Sequence, residues 1–206
     1  MKPIIAGLYA ITPDWDDTAR LIVSVRAAIA GGARVVQYRN KKADAARRLE
    51  QALALAATCA RDGATFIVND HVELAQDVDA DGVHLGAADG NLARARRLLG
   101  RDKRIGASCY DSKDLAHTAL AAGADHVAFG SAFASPTKPS AVRAPHSLYT
   151  AAGALGVPVV AIGGITHTNA SEVIAAGAHA VAVISDLFDA PDIRARAAQF
   201  SSLFDA

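Results

Sequence analysis

The residues of this chain best suited to chemistry stand directly after short apolar runs. Val35-Val36 leads into Gln37-Tyr38-Arg39-Asn40-Lys41. In an extended segment residues i, i+2 and i+4 share one face, so Gln37, Arg39 and Lys41 are expected to project together. An amide, a guanidinium fork and an ammonium point charge can cradle a diphosphate. Ile67-Val68 leads into Asn69-Asp70, and Val83-His84-Leu85 into Gly86-Ala87-Ala88-Asp89. Asp70 with Glu73 also reads as a capping box at a helix start. Asp89 also reads as an N-cap before Asn91-Leu92. Placed on adjacent loops, however, the two carboxylates converge. Magnesium takes one or two carboxylates, several waters and phosphate oxygens, so two acids beside a cationic cradle suit a magnesium-diphosphate site. Without the metal the acids would repel the anion.

Further along, Ser108 ends another apolar run and its hydroxyl can donate to a ligand. The segment 131–143 is long for this chain and carries Ser135, Thr137 and Lys138 between Pro136 and Pro139. Hydroxyls and a lysine suit phosphate, long loops in small domains are often functional, and the prolines stiffen the segment. A lid is therefore expected there. Gly163-Gly164-Ile165 and Ser185-Asp186 follow the last two apolar runs. Glycine lets the backbone approach an anion closely, and a helix N-terminus adds favourable partial charge, so a second phosphate site is expected at these two loops. A plain tight turn is the simpler reading of Gly-Gly. Cys109 has no evident partner base, and His84 reads as a satisfied core residue.

These groups need a scaffold that brings the ends of many strands together. The chain repeats itself weakly: AGGARVVQY (30–38), AAGADHVAF (121–129) and AAGAHAVAV (175–183), with DADGVHLG (79–86) as a looser copy. Each is a helix-ending Ala-Gly, a turn and an apolar run. Glycine just past a helix suits a left-handed C-cap, and an apolar run without alternation suits a strand buried on both faces. Strands are expected at 4–11, 35–39, 65–69, 82–86, 104–108, 126–130, 158–162 and 180–184. Helices are expected near 17–30, 43–61, 71–77, 91–99, 112–122, 145–155, 168–176 and 192–204. Eight βα units at a spacing of ~25 residues imply an α/β fold of the (β/α)8 TIM barrel type, compact, with 1–206 as one domain. A doubly wound open sheet is the structural competitor, weakened by the lack of GxGxxG after the first strand. In the barrel, active sites sit at the C-terminal strand ends, where the candidate residues stand.

Composition narrows the partners. Twenty-one basic and twenty-one acidic residues leave no net charge, which argues against nucleic acid as a partner. Five arginines between Arg94 and Arg104 read as a solvated helix face and its exit loop. The stretch from Ala144 to Ser171 has no Asp, Glu, Lys or Arg, but Pro145, Pro158 and several glycines break it, so no membrane span is expected. Two cysteines, Cys59 and Cys109, outside any CxxC or metal spacing, fit a reduced cytoplasmic protein. Nothing here fixes the oligomeric state.

Taken in order, LYAIT (8–12), VVQYRNK (35–41), IVND (67–70), ADGVHLGAAD (80–89), IGAS (105–108), HVAFGSAFASPTK (126–138), VPVVAIGGI (157–165) and AVAVIS (180–185) resemble the thiamine-phosphate synthase family over nearly the whole chain. The resemblance implies a transferase that condenses 4-amino-2-methyl-5-hydroxymethylpyrimidine diphosphate with thiazole phosphate, releasing diphosphate by magnesium-assisted dissociative displacement. It implies that Gln37, Arg39, Lys41, Asn69, Ser108, Ser135, Thr137 and Lys138 surround the pyrimidine diphosphate, with Ser108 and Lys138 as the catalytic residues. It implies Mg2+ on Asp70 and Asp89, and the thiazole phosphate on Gly164, Ile184 and Ser185. No protein nucleophile is then required, in keeping with the lack of a Ser-His-Asp or Cys-His arrangement.

The chain departs from the family pattern at Pro13, where an acid is usual and Asp14 is next door. It departs also at Ala87 (usually Gln), Ser135 (often Thr) and Tyr110 (often His or another polar residue). Two other functions compete: a thiazole tautomerase-like isomerase, which needs no diphosphate site, and a non-catalytic barrel that binds a phosphorylated metabolite. The retained cradle, acid pair and Thr137-Lys138 favour the synthase.

Overall fold

In the computed structural model, which describes residues 5–86, 91–134 and 142–205, the apolar runs become eight strands and the segments between them become helices. In chain order these are β1 Gly7–Ile11, α1 Thr18–Ala30, β2 Val35–Tyr38, α2 Ala45–Asp62, β3 Thr65–Asn69, α3 Val72–Asp77, β4 Gly82–Leu85 and α4 Leu92–Leu99. The second half comprises β5 Arg104–Tyr110, α5 Lys113–Ala121, β6 His126–Phe129, α6 His146–Ala152, β7 Val159–Ile162, α7 Ala170–Ala175, β8 Ala180–Val183, α8 Ser185–Phe188 and α9 Ile193–Ser201. Every strand is parallel to its neighbours, and β1 pairs with β8 to close the barrel.

The strands lack polar alternation because both of their faces are covered. Leu8, Ala10, Val36, Val68, Val83, Ile105, Val127, Val159 and Val181 point outward into the layer beneath the helices. Tyr9, Ile11, Val35, Ile67, Ala128, Val160, Ala180 and Ala182 fill the inside. Side chains thus pack the barrel as a core, leaving function to its rim. Five of the helices, α1, α2, α4, α5 and α9, start where a short polar side chain accepts a backbone N–H of the first turn: Asp17, Asp44, Asn91, Ser112 and Asp192. Each such cap contributes about 1 kcal/mol. The helix α2 ends on Gly63 in the left-handed region, the C-cap expected of glycine there.

Several details differ from expectation. The strand β5 runs two residues further, to Tyr110, through an irregularity at Cys109. The sixth and last helices end as 3-10 turns, Gly153–Leu155 and Ser202–Phe204. The short helix α8 was not expected. Leu187 and Phe188 hold it against the core while Ser185 stays exposed. The arginine-rich segment is not uniformly solvated either. Arg96 pairs with Asp125 and donates to the carbonyls of Gly100, Lys103 and Gly123. Among the described residues, no helix is long and apolar enough to cross a membrane.

Candidate active site at the C-terminal rim

Parallel register decides which loops meet. Gln37 is level with Ile67, Asn69 with His84, Leu85 with Ala107, and Ile162 with Ala182. The ends of β2, β3, β4 and β5 therefore leave the barrel side by side, which brings the described candidates on β2, β3 and β5 to one arc of the rim. Those after β7 and β8 form a second neighbouring pair.

Gln37 lies inside the barrel, buried, and donates from Nε2 to the Tyr9 hydroxyl at 2.8 Å. Burial pushes the Tyr9 phenol far above its ordinary value, so it stays protonated. Arg39 stands one residue past the strand. Thr12 extends the ladder to it: the Arg39 N–H donates to Thr12 Oγ1, which donates to the Arg39 carbonyl. Asp14 Oδ1 then accepts from Arg39 Nη1 at 2.9 Å and from the Lys41 backbone N–H at 3.0 Å. Asn40, buried, donates to the Trp15 carbonyl and accepts from the N–H groups of Lys42 and Ala43. Arg39 and the Lys41 backbone share Asp14 at the rim while Gln37 stays buried below them on Tyr9, and a turn held by Asp14 and Asn40, rather than a continuing strand, places the lysine.

Asp70 is not a helix cap. The residue preceding α3 is His71, which makes no side-chain cap bond. Asp70 adopts φ 63°, in the left-handed region, which Asp tolerates better than most residues. Its carboxylate accepts from Asn69 Nδ2 at 2.6 Å and sits 3.5 Å from Lys41 Nζ. An acid and a cation from neighbouring loops therefore face each other at the mouth, and the Asp70 side chain is still 17% exposed. Asp89, Ser135, Thr137 and Lys138 lie outside the described residues, as do Ala87 and most of the expected lid. The cap of α4 is Asn91, not Asp89.

Ser108 ends the inner face of β5, half-buried, with its Oγ 3.0 Å from His84 Nε2. His84 is only partly satisfied. Its Nδ1 and both ring nitrogens of the adjacent buried His126 have no hydrogen-bond partner among the described residues. Burial pulls these imidazoles down to about 4 and about 3, so both are neutral at physiological pH. Burial likewise pushes the Cys59 and Cys109 thiols up to about 12, which leaves no reactive thiolate.

At the second pair of loops, Gly163 and Gly164 have φ 100° and 64°. A Cβ on Gly164 would lie 2.3 Å from the Ala134 carbonyl oxygen, and one on Gly163 would lie 2.4 Å from Ser131 Oγ. The glycines therefore let the loop after β6 lie across the loop after β7. Asp186, one residue past Ser185, ties the other side. Its Oδ2 accepts from the His167 backbone N–H at 3.1 Å and from Arg196 Nη1 at 2.6 Å. Ile184 and Ser185 open α8 at this rim.

The residues at this rim to which sequence reasoning gave no role of their own are Thr12, Asp14, Asn40 and Asp186. Each is polar and follows an apolar run by a few residues, the same signal that singled out Asp70.

Residues 8–187 match the family described as thiamine monophosphate synthase. The thiamine-phosphate synthase of Chromobacterium violaceum is 57% identical over 206 residues, covering 100% of both chains. That of Methylobacillus flagellatus is 55% identical over 203 residues, covering 98% of this chain and 97% of the relative. Thiamine phosphate pyrophosphorylase from Pyrococcus furiosus superposes with a TM-score of 0.85 at 34% identity, covering 97% of this chain and 96% of that one. With its barrel, its charged rim and this full-length similarity, the chain belongs to the thiamine monophosphate synthase family.

Proposed function

We propose that this chain is a thiamine-phosphate synthase, a transferase of thiamine biosynthesis acting as a single-domain barrel over 1–206. It joins the pyrimidine diphosphate to thiazole phosphate and releases diphosphate. The observation that carries this reading is the placement of Arg39, Lys41, Asn69, Asp70 and Ser108 at the C-terminal ends of three strands, β2, β3 and β5, on one rim, in a chain with full-length synthase relatives.

Roles follow from chemistry and place. Gln37 and Asn69 offer amide groups to the pyrimidine at the top of the barrel core. Arg39 and Lys41 bind the diphosphate, the first as a fork and the second as a point charge. Ser108 donates a hydrogen bond to the same group, and Ser135, Thr137 and Lys138 supply it with two hydroxyls and an ammonium. Gly164, Ile184 and Ser185 hold the thiazole phosphate with backbone N–H groups.

Among the described residues no cluster of three His, Cys, Asp or Glu could hold a metal ion. Magnesium needs fewer protein ligands, one or two carboxylates being sufficient beside phosphate oxygens. Asp70, part-exposed and aimed at the rim, fits one of these places, and Asp89 supplies the other. When bound there, Mg2+ neutralises charge on the departing diphosphate. The protein's own work is to hold the two substrates in line, keep donors aimed at the leaving group, and exclude water from the pyrimidine-methyl cation, which its ring amine stabilises. Two buried thiols without a disulfide fit a reducing compartment, so we place the enzyme in the cytoplasm.

The test is product formation from pyrimidine diphosphate, thiazole phosphate and magnesium, comparing wild type with Asp89→Ala. Thiamine phosphate from wild type and a crippled variant support the reading. Wild-type protein that binds thiazole phosphate but forms no product returns it to an isomerase or a silent binder.

A further inference from the structure

The inner surface of the barrel carries a polar layer that the roles above leave unused. Asn69, His84, Gly106 and His126 are level with one another on β3, β4, β5 and β6. Two imidazoles from β4 and β6 flank a glycine on the strand between them. Their ring centroids are 5.7 Å apart. A Cβ at Gly106 would lie 2.2 Å from His126 Nε2 and 2.4 Å from His84 Nδ1. Both nitrogens therefore stand where a side chain at residue 106 would have to go, and neither has a partner among the described residues. The other nitrogen of His84 lies 3.0 Å from Ser108 Oγ, which opens toward the rim.

Buried polar nitrogens are almost always hydrogen-bonded, to protein or to an ordered water. His84 Nδ1 and His126 Nε2 make no direct hydrogen bond, so one ordered water bridging them is the complement that serves both. If His126 Nε2 supplies the proton, His84 Nδ1 accepts and the His84 proton sits on Nε2. That proton can only go to Ser108 Oγ. The serine then accepts from behind and must aim its own proton elsewhere. In the opposite tautomer His84 Nε2 would accept the serine's proton, and Ser108 would present only lone pairs to an anion.

Resting on the synthase reading, we infer that His84 is a positioning residue: its Nε2–H donates to Ser108 Oγ, with His126 behind it, and so turns the serine's proton toward the leaving diphosphate. The order His126, His84, Ser108, diphosphate is a chain in which each member donates once, and such chains strengthen along their length. No proton changes owner. The chain fixes the direction of one donor before charge develops on the leaving group, which is where prepaid orientation helps catalysis most.

The experiment is nitrogen NMR of the folded wild-type protein labelled with 15N-histidine, with His84→Gln used to assign the ring. A protonated Nε2 and a bare Nδ1 on His84 are expected. A bare Nε2 overturns the inference whether or not the enzyme turns over, so its failure is separable from failure of the synthase reading. Kinetics give the second readout. His84→Leu is expected to lower kcat about tenfold with the KM for thiazole phosphate unchanged. His84→Gln, which keeps an amide N–H near the Nε2 position, is expected to restore most of it. In a Ser108→Ala background His84→Leu should cost nothing further, because the route it acts through is gone. Losses that multiply in the double variant, or a rise in KM without a fall in kcat, would overturn the assignment.

Discussion

The two ends of this barrel use the same residue types for opposite purposes. At the N-terminal end, Asp81 accepts from the Phe66 N–H and Asp125 accepts from the Ile105 N–H. Arg96 meets Asp125 and three backbone carbonyls. Those charges are committed to the backbone and hold strands in place. At the C-terminal end, Lys41 faces Asp70 at 3.5 Å and Arg39 faces Asp14 at 2.9 Å, side chain to side chain, on groups still in part exposed. Such pairs contribute little stability, and their charges remain available to a ligand. One rim is fastened and the other is held ready.

The contrast can be broken by experiment. The largest effect is expected from Lys41→Ala, which should reduce kcat/KM about 100-fold and leave the melting temperature nearly unchanged. Asp125→Ala should do the reverse. It leaves the Ile105 N–H unpaired and takes the counter-charge from Arg96, which keeps only its carbonyl acceptors, and should cost about 3 kcal/mol in denaturant unfolding with kcat preserved. Acid should act on the interior between the two rims. His84 titrates near its usual 6.5 when unfolded and about 4 when folded. The unfolded chain therefore binds more protons between those values, so stability is retained above pH 6.5 and falls as pH drops from 6.5 toward 4. His84 alone accounts for about 3 kcal/mol by the bottom of that window. Unfolding curves across the range, with His84→Gln flattening the slope, check this. The smallest effect is expected from Asp14→Asn, which keeps an acceptor but weakens the hold on Arg39. A rise of a few fold in the KM for the pyrimidine diphosphate, at constant kcat, would sharpen the view that Asp14 aims the cradle.

Much of this molecule is readable from its sequence, for a physical reason. Strands covered on both faces must be continuous apolar runs, and a glycine must follow many of the helices, so AGGARVVQY, AAGADHVAF and AAGAHAVAV announce the barrel unit. Once the barrel is inferred, the residues after each strand become the candidates for the site. What escapes is set by contacts distant in sequence. Nothing local to Asp14 says that it receives Arg39 and the Lys41 N–H, which are 25 and 27 residues away. Nothing in the Arg94–Arg104 run distinguishes Arg96, whose partner Asp125 is 29 residues on. The helix α8 is four residues long, too short for any periodic pattern. The capping box at Asp70 failed because the left-handed backbone at that residue points its carboxylate at the rim instead of the helix.

The central claim, that the C-terminal rim does the chemistry and the N-terminal rim only holds the fold, is tested most directly by one paired assay. Thiamine phosphate formation is followed against magnesium concentration for wild type, Asp70→Asn and Asp125→Asn, each with its melting temperature. The expected result is a crippled, magnesium-insensitive Asp70→Asn that melts like wild type, and an active Asp125→Asn that melts early. Full magnesium-dependent turnover in Asp70→Asn would contradict the claim.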